Sequence, residues 1–191
     1  MDKGIRMLFM ASIVVVSLVL GAARPERVED TNTLLSSGGG ADVLTVSEFE
    51  HSNFLARYRP VDVRRNWHAG YLLHAYLFED PENPRGRILI ELGPSADNVQ
   101  SVSVVWHGQA IYQRASWSTL KSRFMADLVE STFPEIDYGE LSRYVWEQQA
   151  RSYPEGSGAM PKVMLSNARV MAGASGSSLV VAYERHPRIQ P

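Results

Sequence analysis

The chain has 191 residues, 45% of them apolar and 21% charged, which excludes collagen-like, coiled-coil and wholly disordered classes and allows one buried core plus a remainder. Nineteen basic against 21 acidic side chains leave a formal charge of -2, so the bulk attraction on which most nucleic-acid binders depend is missing and no nucleic-acid partner is expected. The absence of Cys removes disulfides, thiolate metal sites and thiol nucleophiles.

The remainder lies at the N-terminus. Lys3 and Arg6 precede an uncharged apolar run over residues 7–23 that ends in Gly21, Ala22 and Ala23. A basic start, an apolar stretch and a small-residue end have the form of a secretory signal peptide, cleaved after Ala23. A helix over residues 7–23 rises about 25 Å, short of the roughly 30 Å hydrocarbon core, so an uncleaved single-pass anchor is the second choice. In both cases the rest of the chain is expected outside the cytoplasm, periplasmic or extracellular, with membrane contact only through the N-terminal segment. Residues 24–41 are polar, contain Pro25 and run into Ser36, Ser37 and Gly38 to Gly40, the composition of a flexible tether.

A single domain is expected over residues 42–187, followed by a short tail, 188–191. Residues 44–49 and 54–58 fit either a strand and turn or a helical turn. Residues 70–79, 87–92 and 99–106 read as strands, with turn chemistry over 80–86 and 93–98. The short links make them an antiparallel meander. The apolar period then changes. Trp117, Leu120, Phe124 and Leu128 recur at helical spacing, with Ser116 or Ser118 as cap and Pro134 as stop. Asp137 and Glu140 open a second helix through Leu141, Tyr144 and Val145. Residues 162–171 and 179–184 read as two strands of a hairpin joined through 173–177. Strands, then helices, then strands give an α+β fold, with a three-stranded antiparallel meander, a C-terminal hairpin and two consecutive helices packed on one face of the sheet.

Chemistry-bearing motifs are sparse. Among five His, His107 ends a strand next to one that carries Glu91, which suggests a small exported hydrolase using His107 with a carboxylate as the alternative function. No HExxH or similar spacing supports a metal, so neither metal nor other cofactor is expected. Ser175 sits in Gly-Ala-Ser-Gly-Ser, which lacks the strand-to-helix context of a nucleophile turn. The densest cluster is Arg57, Arg59, Arg64, Arg65 and Trp67, a cationic aromatic strip suited to an anionic ligand through guanidinium forks and stacking. The same composition also blunts a sheet edge. The leading expectation is an exported, non-catalytic binding or protein-interaction domain whose partner is a protein or an anionic ligand of the cell envelope. A third reading is strand addition at a free sheet edge.

Overall fold

In the computed structural model, which describes residues 44–68, 71–95, 97–108, 117–149, 151–153, 160–175 and 178–185, apolar alternation builds an eight-stranded sheet. β1 (Asp62–His68), β2 (Tyr71–Asp80), β3 (Asn83–Ser95) and β4 (Asn98–His107) follow in order, each antiparallel to the one before. The chain returns at the other side of β4. β5 (Ser152–Tyr153) and β6 (Lys162–Leu165) both pair with β7 (Ala168–Ser175), and β8 (Ser178–Arg185) lies between β7 and β4. The proposed signal or anchor (1–23), the tether (24–41) and the tail (188–191) lie outside the described residues. No helix among the described residues is long and apolar enough to cross a membrane.

Among the described residues four helices complete the α+β fold, and side-chain caps start each of them. The ambiguous N-terminal stretch forms α1 (Val46–Glu50), held by a reciprocal Thr45 and Glu48 capping box, and α2 (Asn53–Arg57), capped by Ser52. In α3 (Thr119–Thr132) the Ser118 side chain accepts from the Lys121 N–H, and the helix ends just before Pro134. Asp137 accepts from the Glu140 N–H at the start of α4 (Tyr138–Gln148).

The meander has four strands rather than the three expected, because Asp62–His68 forms β1 at its outer edge, and strand boundaries also shift. Residues 162–171 are not one strand: the chain reverses at Ser166, whose φ of 53° lies in the left-handed region, and β6 pairs back on β7. Residues 80–86 are mostly not loop. Asp80 pairs with Asn83 and Glu79 with Arg87, so the extra residues form a bulge in β3, where Pro84, lacking an N–H, is tolerated.

The two faces of the sheet are buried differently. Tyr76, Phe78, Ile88, Ile90, Val104, Trp106, Val181 and Tyr183 point to one side, where Phe49, Phe54, Phe124, Met125, Leu128 and Val145 from all four helices close over them. Aromatic rings meet there edge to face, Phe54 on Phe124 at 5.1 Å and Phe78 on Phe124 at 5.6 Å. The alternate residues form a second face of smaller side chains, Ala75, Leu77, Leu89, Val105 and Val180, with Met160 packed against them.

Candidate functional site

The arginine strip of the sequence does not act as one positive surface. Arg57 pairs with Asp127 of α3 at 2.8 Å, and the Tyr58 hydroxyl donates to the same Oδ2 at 2.6 Å. That hydrogen bond and, above all, burial push the Tyr58 phenol up to about 12. Arg64 folds onto Asp62 at 2.7 Å through both Nε and Nη2, and Arg65 reaches Glu50 of α1 at 3.2 Å. Local carboxylates thus neutralise three of the four cations. Arg59 carries no ion pair among the described residues and stands at the mouth of a cleft. The Trp67 side chain lies outside what the structure describes.

That cleft, about 300 Å³, opens where β1 leaves the helix layer. Its floor is the aromatic core itself: Phe78 of β2, Ile88 of β3, Trp106 of β4 and Phe124 of α3. Val61 and Leu120 stand on its rim 56% and 52% exposed, two large apolar side chains left in water beside an apolar hollow. The Nε1 of Trp106 is buried with no hydrogen-bond partner.

The charges around the cleft are unequally engaged. Glu82 accepts from Lys121 Nζ at 2.6 Å and from the Ser118 hydroxyl. Burial acts to raise the Glu82 carboxyl, but the hydrogen bonds from Lys121 and Ser118 and the Lys121 charge outweigh it and hold the pKa below the ordinary value. Asp80 accepts the Glu82 backbone N–H at 2.9 Å, and Glu79 stands opposite Arg87 in the β2–β3 ladder. Arg59 and Arg123 are the cleft cations without a salt bridge among the described residues. An apolar hollow rimmed by two uncommitted guanidiniums suits an apolar group attached to an anion.

The His107 and Glu91 pairing is not assembled. Glu91 faces Ser103 across the β3–β4 ladder, and His107 lies four residues further along β4 on the same face, about 13 Å away at the rise of a strand. Glu91 is 3% exposed with Oε2 unpartnered, and burial pushes its carboxyl up to about 8. Burial pushes His107 the other way, down to about 4. Its Nδ1 lies 3.0 Å from the Ser178 hydroxyl, while its Nε2 is buried without a partner, so no carboxylate orients the ring as a general base requires. Among the described residues no three His, Cys, Asp or Glu cluster to hold a metal.

Sequence reasoning missed Arg123, Leu120, Val61 and the cleft floor. Arg123 and Leu120 had been legible only as helix positions, and the hollow arises from strands and a helix far apart in the chain. No protein-family profile matches the chain, and neither curated proteins nor solved structures give a significant match.

Proposed function

We propose that this chain is an exported, non-catalytic binding domain that engages a protein partner of the cell envelope at the cleft beside β1. The observation that carries the reading is the pairing of exposed Val61 and Leu120 with an apolar hollow whose rim holds Arg59 and Arg123. The basic start and apolar run of the N-terminal segment support export, which places such a partner outside the cytoplasm. The dispersal of Arg57, Arg64 and Arg65 into ion pairs favours this local site over a broad anion-binding strip.

The test is photo-crosslinking in intact source cells. A benzophenone amino acid at position 120 is expected to form a discrete protein adduct, whereas the same group at position 146, equally exposed on α4, forms none. The position 120 adduct should disappear when Val61 is replaced by Asp. Equal labelling from both positions, or labelling insensitive to Val61→Asp, contradicts the site.

A further inference from the structure

Resting on that reading, we infer that the mouth of the cleft and the β1 edge together take the C-terminal end of an extended polypeptide, added as a strand antiparallel to β1, with its last side chain packed on Val61 at the mouth of the hollow and its terminal carboxylate on Arg59 and Arg123. Three independent features set this geometry: the state of the edge, its direction and the pattern of side chains along it.

Among the described residues β1 is the terminal strand of the sheet, paired on one side to β2 over seven residues without a register break. No Pro or bulge interrupts it, and its two arginines are turned onto Asp62 and Glu50. Such an edge offers a row of main-chain donors and acceptors to an added strand. The opposite side differs: β6 and β5 occupy the outer edge of β7 at its two ends.

Direction follows from where the cleft lies. Arg59 and Val61 sit at the N-terminal end of β1, so a strand running antiparallel to β1 brings its C-terminus there. A peptide amide at that point offers a single neutral carbonyl acceptor, whereas a terminal carboxylate offers two charged oxygens that accept charge-assisted hydrogen bonds from both guanidiniums. The parallel arrangement would bring an N-terminal ammonium to the same place and be repelled.

The side-chain pattern gives the ligand class. Alternation places Val61, Val63 and Arg65 on the helix-bearing face, where Val63 lines a shallow hollow with Leu55, Pro60 and Tyr76 and Arg65 remains 60% exposed at its head. An antiparallel partner therefore presents an apolar last residue beside Val61 and an apolar residue two positions earlier beside Val63. A second copy of the chain is a poor occupant, since twofold antiparallel pairing of Asp62–His68 sets Arg65 against Arg65.

The experiment is fluorescence anisotropy of the full chain with a labelled octapeptide. The peptide carries Val and Phe at the third-last and last positions, with serines elsewhere. The free-acid peptide is expected to bind at least tenfold tighter than its C-terminal amide, and Arg59→Gln with Arg123→Gln should erase that difference while leaving the thermal midpoint unchanged. N-methylation of one alternate set of peptide amides should abolish binding, and methylation of the other set should be tolerated, because only one set faces β1. Equal affinity of acid and amide overturns the inference, as does 3-phenylpropanoate binding as tightly as the peptide, which would make the cleft a small-carboxylate site. Failure of every peptide, with the position 120 adduct still formed, overturns this inference and leaves the binding site standing. Loss of both defeats both.

Discussion

The two faces of the sheet solve burial in opposite ways. On the helix-bearing face, large aromatic side chains interlock and the Thr132 and Tyr183 hydroxyls meet at 3.0 Å, with Trp106 Nε1 and His74 Nδ1 left without hydrogen-bond partners. On the second face the side chains are small, and ionisable or hydroxyl groups are buried among them unsatisfied: Glu91, Ser103 and the Nε2 of His107. Gly93 on that face has no space for a Cβ beside the Ser101 hydroxyl. Buried chemistry is usually read as a site. Here the chemically loaded face lacks the converging geometry of catalysis, and the candidate site lies at the end of the well-packed face near the start of β1, where Val61 and Leu120 stay exposed beside buried Phe78, Trp106 and Phe124. A perturbed carboxyl on the second face thus bears on stability, and a pair of surface arginines on the first carries the proposed binding.

The largest expected effect tests the packed face. Phe124 touches Phe54, Tyr58, Phe78 and Trp106 at ring distances of 4.9 to 6.3 Å, and Phe124→Ala should cost about 3–5 kcal/mol in denaturant unfolding. A loss below 1 kcal/mol would mean that this layer is not the core.

The second face should declare itself through pH. Glu91 titrates near 4.5 when unfolded and near 8 when folded, so the folded state keeps a proton that the unfolded chain has released. Its contribution is complete below pH 4.5 and is lost as pH rises toward 8, by about 1.4 kcal/mol per unit. Glu91→Gln should flatten that decline. His107 shifts downward, so the stability present above pH 6.5 is lost as pH falls toward 4, and His107→Gln should soften the acid limb. Unfolding curves collected from pH 4 to pH 9 read both limbs, and variants that leave both slopes unchanged would remove these groups from the second face's energetics.

A smaller effect lies at the rim. The Lys121 ammonium is buried against Glu82, so Glu82→Ala, which strands the charge, should cost about 2 kcal/mol, and Lys121→Met, which removes it, distinctly less. The reverse order in chemical denaturation would show that the ammonium finds water on its own. Smallest of all, Arg59→Glu with Arg123→Glu should move unfolding by no more than about 0.5 kcal/mol, since both side chains are exposed and neither forms a salt bridge among the described residues.

How much of this was written in the sequence divides along the same line. The antiparallel α+β class was legible, because alternation through residues 99–106 and helical spacing from Trp117 to Leu128 are local signals carried by the segments themselves. The split at Ser166 and the bulge after Asn83 were not, since a two-residue reversal and a bulge leave the apolar pattern nearly unchanged. The arginine cluster was visible as composition, but its pairing with Asp127, Glu50 and Asp62 spans up to 70 positions and exists only in three dimensions. Glu91 and His107 looked adjacent because their strands are neighbours, and the register of the β3–β4 ladder separates them. The cleft needed two unpaired cations from α3 and the β1 approach to meet over a floor from three strands.

The measurement that bears most directly on the central claim compares the position 120 photo-adduct in three backgrounds. Binding at the cleft predicts an adduct of full yield in the otherwise unaltered chain and in Glu91→Gln, and loss of the adduct in Arg59→Glu with Arg123→Glu. An adduct that survives the paired arginine reversal but vanishes with Glu91→Gln would contradict it and move the functional surface to the other face of the sheet.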